Sequence, residues 1–171
     1  RLAGRENYVV FDDAAAAASD AATARSSGTF SKWNVNLARL QGLTPRDSLY
    51  LSFAGQWADR NLDSAEKMAI GGPYTVRAYD IGALSGDTGY AASVEIRHEL
   101  GRLLSGSWQA QVFIDNAYIK VNRQPWTVTV NSATLSGAGV GLSWVGPDLW
   151  RESAAVATRV GAVPALLSRQ S

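Results

Sequence analysis

Cysteine is absent from this chain of 171 residues, and histidine occurs only once, as His98. Without cysteine, neither disulfides nor thiolate metal sites can form. A single histidine removes most histidine-based metal sites and catalytic triads. The sequence also shows no Ser/His/Asp arrangement, phosphate-binding loop or calcium motif. We therefore expect neither an enzyme nor a bound cofactor or metal.

Long apolar runs and a surplus of one charge are missing too. No stretch approaches the roughly 20 apolar residues of a membrane-spanning helix, which excludes a helical membrane protein but not a barrel of alternating strands. Lysine plus arginine number 16 against 15 for aspartate plus glutamate, so the net charge is only +1. Nucleic-acid binding usually needs a clustered basic surplus and is not expected. Because the chain opens without methionine or a signal peptide, we expect a piece of a longer protein.

From Phe30 onward, apolar and polar residues alternate with period two, which is the signature of β-strands. The alternation predicts about six antiparallel strands of about 10 to 14 residues. Their predicted bounds are Ser31–Leu40, Ser48–Asp59, Thr88–Leu100, Ser107–Val121, Leu135–Val145 and Trp150–Val160. Strands of soluble proteins have about 5 or 6 residues, whereas tilted membrane strands need about 9–11. Strand length therefore favours a transmembrane β-barrel.

The connections between these strands alternate in length. Short turns are predicted at Gly42–Asp47, Gly101–Gly106 and Gly146–Asp148, and long loops at Arg60–Asp87 and Asn122–Ala133. Membrane barrels have short turns on the periplasmic side and long loops outside. With the short turns placed in the periplasm, aromatic residues fall at both ends of the strands, as expected for rings at the two membrane surfaces. They are Trp33, Trp57, Tyr90 and Tyr118 at the outer ends, and Trp108, Trp144 and Trp150 near the inner ends.

The first part of the chain does not alternate. Ala14–Ala24 has good helix propensity, but it offers no large apolar residue for packing. We therefore predict an extracellular loop or irregular segment over residues 1–29. Residues 30–171 would then form a C-terminal part of a barrel, which includes a long inserted loop at 60–87.

The loop at 60–87 carries the most specific pattern of the sequence. The pattern continues into the next two strands, where Glu95, Arg97 and the run Phe113-Ile114-Asp115 follow. Its loop residues are Leu62, Ser64, Glu66, Gly71, Gly72, Thr75, Val76, Arg77, Tyr79, Gly86, Asp87 and, just after the loop, Gly89. In spacing and order they resemble the two-partner secretion transporters of the outer membrane, the ShlB/FhaC/HecB hemolysin-activator family.

The resemblance implies a fold, a function and a role for the loop. The fold would be a barrel of about 16 strands, of which this chain supplies about six. The protein would export a secreted passenger, such as a hemolysin or adhesin, through the outer membrane of a Gram-negative bacterium, in contact with outer-membrane lipid and without a small-molecule substrate. The loop would fold back into the barrel, with Gly71, Gly72, Thr75, Val76, Arg77, Tyr79, Gly86 and Asp87 as its functional motif. Arg77 would reach an acidic residue on the wall.

The residues themselves indicate which acid Arg77 would reach. Phe113 and Asp115 lie two apart on the polar face of their strand, and Arg with Asp can form a bidentate, charge-assisted pair. Glu95 and Glu99 on the neighbouring strand are rival partners. One residue departs from the family pattern, because Ala78 follows the arginine where glycine is usual. If that position needs positive φ, alanine would cost about 1 kcal/mol.

Three alternatives remain open from the sequence. A barrel-assembly insertase of the same superfamily shares the arginine loop, a passive porin would lack it, and a soluble β-sandwich binding module would have shorter strands. Arg77 could also be an ordinary solvated arginine in a surface turn.

Overall fold

The computed structural model of the chain describes residues 2–10, 13–103, 105–147 and 150–167. Its long strands are β1 (Leu2–Val9), β2 (Gly28–Gly42), β3 (Asp47–Ala58), β6 (Thr88–Leu103), β7 (Gly106–Lys120), β8 (Ser132–Val145) and β9 (Arg151–Arg159). They form one antiparallel sheet of seven strands in the order β1-β2-β3-β6-β7-β8-β9. The short strands β4 (Met68–Ile70) and β5 (Leu84–Gly86) pair with each other, and the helix α1 covers Ala14–Ala22. Within the described residues the sheet stays open, with β1 and β9 at its edges.

The prediction of long antiparallel strands is confirmed. Strand β6, for example, covers Thr88–Leu103 where the alternation predicted Thr88–Leu100. Each pair of neighbouring strands in the seven-stranded sheet is antiparallel, as a barrel of up-and-down strands requires. The predicted turns at 101–106 and 146–148 each include a residue outside the described part of the chain.

Residues 1–29 differ from the predicted loop or irregular segment. Strand β1 pairs with β2 over its whole length, and α1 follows it. Asp13 caps the helix by accepting a hydrogen bond from the N–H of Ala15 at 3.1 Å. At the other end Asp20, which is buried, accepts hydrogen bonds from Ser26 and Ser27. These hydrogen bonds hold both ends of the helix, whose alanines offer little apolar surface for packing. No helix among the described residues is long and apolar enough to cross a membrane.

The two faces of the sheet have opposite character. On one face, here called the outer face, Leu51, Val94 and Val112 are 36%, 47% and 50% exposed. The register places Leu51 directly opposite Val94, so the apolar side chains form a continuous surface. On the other face, the inner face, the loop at 60–87 packs against β6, β7 and β8. The core of the structure lies between this loop and the sheet.

Candidate functional site

The loop at 60–87, here called the inserted loop, is shaped by two glycines. Gly71 and Gly72 have φ of 102° and 95°, a left-handed conformation that favours glycine. A Cβ on Gly71 would lie only 2.4 Å from the carbonyl oxygen of Asp80. The N–H of Gly72 donates to the carbonyl oxygens of Val76 and Tyr79, at 3.2 and 2.9 Å. The tip of the loop is therefore a compact, internally bonded turn.

Apolar residues of the inserted loop are buried against the inner face. Val76 and Ile70 are completely buried, and Tyr79 is 6% exposed. They pack on a wall of apolar residues from β6, β7 and β8, namely Ala91, Ala117, Ile119, Ala133 and Leu135. Burying a side chain such as Val76 contributes about 1.5–3 kcal/mol. The loop is thus a docked element rather than a solvated turn.

Arg77 points from the tip of the loop to the wall. Its Nε donates to Oδ2 of Asp115 at 2.8 Å, and its Nη2 donates to Oδ1 of Asp115 at 2.6 Å. Its Nη1 donates to Oε1 of Glu95 at 2.7 Å, and Nη2 also donates to Oγ of Ser93 at 2.9 Å. The guanidinium therefore meets two carboxylates and a hydroxyl on two adjacent strands.

The surroundings of this network keep it partly dry. The guanidinium lies over the ring of Phe113, with Cζ 3.4 Å from the ring centroid. Asp115 is completely buried and Phe113 is 3% exposed. Arg97 donates two further hydrogen bonds to Oε2 of Glu95, so this acid is shared between two arginines. Charge-assisted hydrogen bonds in such a setting are among the strongest available to a protein.

Ala78 does not carry the backbone strain considered above. Among the described residues other than glycine, only Arg25 and Ser105 have positive φ. The methyl group of Ala78 instead faces Gly137 on β8, where an added Cβ would lie 2.8 Å from that of Ala78. The wall therefore has a gap into which the methyl group fits.

Asp87, at the end of the inserted loop, forms a second buried network. It is completely buried, and its Oδ1 lies 2.7 Å from Nζ of Lys67 and accepts from the N–H of Leu62. Its Oδ2 accepts from the N–H of Arg123, in the loop that follows β7, at 2.7 Å. Asp87 thus joins the beginning and the end of the inserted loop to the loop between β7 and β8.

Asn61 repeats this connection beside Asp87. Its Nδ2 donates to the carbonyl oxygens of Ala24 and Gln124, and its Oδ1 accepts from the N–H of Gln124. The segment after α1, the inserted loop and the loop between β7 and β8 are therefore joined by the side chains of Asn61 and Asp87. Sequence reasoning named Asp87 as part of the motif, but it gave no role to Asn61 or Lys67.

The structure brings most of the predicted site residues together. Glu95, Phe113 and Asp115 all contact Arg77. Glu99, the other rival partner, instead accepts from the amide of Gln109 at 2.6 Å. Ser93, which sequence reasoning missed, shares the inner face with Glu95 and donates to Asp115 at 2.7 Å. Its position in the alternation, two residues before Glu95, could have identified it.

The space around the site is small. A cavity of about 180 Å³ lies beside Arg77 and Asp115, and Tyr50, Tyr74 and Ser93 also line it. Within the described ranges, no group of three or more His, Cys, Asp or Glu residues is placed to hold a metal ion.

Comparisons with known proteins point to one family. The family model described as "Haemolysin secretion/activation protein ShlB/FhaC/HecB" matches residues 10–144. The heme/hemopexin transporter protein HuxB of Haemophilus influenzae strain 86-028NP is 32% identical over 118 residues, which are 67% of this chain and 21% of that protein. The protein of the same name from strain Rd is 31% identical over 117 residues, with the same coverage. This chain therefore spans about a fifth of the length of these relatives.

A solved structure has the same fold. The chain of CdiB from Escherichia coli superimposes with a TM-score of 0.68 and 24% sequence identity, over 79% of this chain and 25% of that one.

Proposed function

The chain belongs to the haemolysin secretion/activation family of ShlB, FhaC and HecB, and from this premise we propose that the full-length protein exports a secreted partner protein across the outer membrane of a Gram-negative bacterium. It acts as a transporter and not as an enzyme. Residues 30–171 contribute part of the barrel wall, and residues 1–29 contribute strand β1 and an extracellular connection. The partner is a large protein of the hemolysin or adhesin type. Because two relatives are named heme/hemopexin transporters, a partner that handles heme or hemopexin is a second candidate.

The observation that carries this proposal is the docking of the inserted loop on the inner face through Arg77. A loop that lies on the inner face narrows the space through which a polypeptide would pass. Its ionic contacts with Glu95 and Asp115 can be exchanged for contacts with a passenger, while release of the loop also uncovers apolar residues such as Val76. Arg77 and its wall partners are therefore the residues that we expect to control passage.

The outer face supports placement in a membrane. Along β7, Trp108 and Tyr118 both project to this face, ten residues apart, with Val112 and Ile114 exposed between them. At about 3.3 Å per residue and a tilt of about 40°, the two rings are about 25 Å apart along the membrane normal. This height matches the apolar band of an outer-membrane barrel, which is also about 25 Å.

The arginine network suggests how the loop is released. When Arg77 leaves, Glu95 keeps its two hydrogen bonds from Arg97, but Asp115 keeps only the hydroxyl of Ser93. Asp115 therefore loses most of its hydrogen bonds when the loop leaves, and donors of an extended passenger can replace those of Arg77 there. The passenger can also pair with exposed strand edges, which is β-augmentation.

A secretion assay tests the proposal. The full-length protein is expressed with its secreted partner, and the partner is measured in the medium while the transporter is measured in the outer membrane. We expect Arg77→Ala to abolish secretion with the barrel still inserted, because a loop tip that the contacts of Arg77 no longer fix to the wall can lie across the space through which the partner passes. Arg123→Ala, which removes an exposed arginine side chain from the next outer loop, is the matched control and should secrete normally. Normal secretion by Arg77→Ala would remove the proposed role of the loop.

A further inference from the structure

A row of three side chains crosses the outer face near the inner ends of the strands. Trp108 on β7 lies directly opposite Trp144 on β8, which lies directly opposite Glu152 on β9. The centroids of the two indole rings are 6.4 Å apart, at an interplanar angle of 46°. Two tryptophans and a carboxylate therefore stand side by side on the surface that the proposed function assigns to lipid.

This row borders a groove on the outer face. The groove has a volume of about 590 Å³, and Leu142, Ser153 and Ala154 complete its lining. Most of the lining is apolar, and Glu152 supplies its only charge. A groove of this kind fits a ligand with an apolar body and one charged end.

Within the described part of the chain, the carboxylate of Glu152 forms neither an ion pair nor a hydrogen bond. The indole N–H of Trp144 is buried beside Gly106 and meets no acceptor among the described residues, so the groove offers one free group, the carboxylate of Glu152.

We propose that this groove binds a phospholipid whose headgroup carries a primary ammonium, in the periplasmic leaflet of the outer membrane. The ammonium donates hydrogen bonds to the Glu152 carboxylate and lies against the indole faces, which attract cations. The acyl chains lie along Leu142 and Ala154, in the direction of the apolar band.

The level of the row agrees with this ligand. Trp108, Trp144 and Glu152 lie beside the short turns, which the alternation of loop lengths predicts to be periplasmic. Tryptophan rings favour the headgroup level of a bilayer, and a carboxylate is tolerated there but not in hydrocarbon. An anionic headgroup would instead be repelled by Glu152.

The inference rests on the proposed membrane position, but its test is independent of secretion. The full-length protein is released from membranes into detergent and offered equal amounts of phosphatidylethanolamine, phosphatidylcholine and phosphatidylglycerol with identical acyl chains. Lipids that stay bound are counted by mass spectrometry of the intact complex. We expect phosphatidylethanolamine to be retained over each of the other two by about three- to fivefold, because only its ammonium can donate hydrogen bonds to Glu152. This ratio corresponds to about 0.6–1 kcal/mol.

Three variants make the test specific. Glu152→Gln should abolish the preference, and Glu152→Lys should reverse it in favour of phosphatidylglycerol. Asp47→Asn removes a carboxylate at the same ends of the strands, but this acid already pairs with His98 at 2.7 Å, so the preference should persist. Equal retention of the three lipids by the unmodified protein, or an unchanged preference in Glu152→Gln, would overturn the proposal. A protein that secretes normally but shows no lipid preference would refute the groove alone and leave the proposed function intact.

Discussion

Arg77 and Asp115 are joined by three hydrogen bonds, two from the guanidinium and one from the backbone N–H of Arg77 at 3.1 Å. The carboxylate therefore fixes the side chain and the backbone of the loop tip together. Because Asp115 is completely buried, its charge depends on this one cation and on the hydroxyl of Ser93. The same contact therefore positions the inserted loop and neutralises the charge of Asp115.

Removing Arg77 alone should lower the free energy of unfolding more than removing both Arg77 and Asp115. Arg77→Ala leaves a buried carboxylate without its cation, which costs about 3–5 kcal/mol in buried pairs. Arg77→Ala combined with Asp115→Ala removes that unpaired charge, so we expect part of the loss to be recovered. Unfolding of the full-length protein by guanidinium chloride in detergent measures the free energy of unfolding of both variants. Strictly additive effects of Arg77→Ala and Asp115→Ala would show that the two residues are not coupled.

Lysine should not replace Arg77. Its ammonium keeps the charge, but it lacks the planar fork that reaches Asp115, Glu95 and Ser93 at once. We expect Arg77→Lys to secrete little more than Arg77→Ala and to expose the loop to added protease. Arg123→Lys is the control, and in this variant the inserted loop should be cleaved no faster than in the unmodified protein.

Gly137 and Ala78 should behave as a size-matched pair. Gly137→Ala places a methyl group 2.8 Å from the methyl group of Ala78, which is closer than carbon atoms tolerate. We expect this variant to undock the loop tip, seen as faster hydrogen exchange over residues 72–79. Ala78→Gly should restore protection in the Gly137→Ala background. Gly42→Ala is the control, because no atom lies within 4 Å of a Cβ added there. Failure of Ala78→Gly to rescue would place the defect elsewhere.

Asp87→Asn should loosen the base of the inserted loop without breaking the Arg77 network. The amide loses the ion pair with Lys67 and presents only one oxygen where the carboxylate accepts on both. We expect a loss of about 1–3 kcal/mol in local stability, measured by hydrogen exchange at residues 62 and 123. Asp80→Asn changes an exposed acid of the same loop and should leave exchange at these residues unchanged.

The stability of the segment around α1 should decrease at acidic pH. Burial alone would raise the pKa of Asp20, but hydrogen bonds from the Ser26 side chain and from the N–H groups of Ser26 and Ser27 outweigh it and lower the pKa. A lowered pKa means that the stabilisation is complete above about pH 4, the ordinary range of aspartate, and is lost as pH falls through the folded-state value. Hydrogen exchange over residues 13–27 should accelerate there. In Asp20→Asn the acceleration should be absent and the segment should be less protected at neutral pH.

Local pattern was sufficient to predict the six long strands from β2 onward, but not β1, β4 or β5. The alternation in Thr88–Leu100 predicted β6, and the alternation in Ser107–Val121 predicted β7, because side chains of a strand point to opposite faces in turn. The same alternation placed Phe113 and Asp115 on one face. The spacing of the motif around Arg77 then identified the family, which the match over residues 10–144 shows.

Only the tertiary structure decided which of these residues meet. Glu95 and Glu99 are both inner-face acids, and the docking of the loop tip selected Glu95, while Glu99 contacts Gln109. The buried contacts of Asp87 with Lys67 and Arg123 join segments far apart in the chain, so no local pattern predicts them. The row of Trp108, Trp144 and Glu152 exists because of the register of three strands. Periodicity is a local property of a strand, whereas register and loop docking depend on contacts between distant residues, which form only when the chain folds.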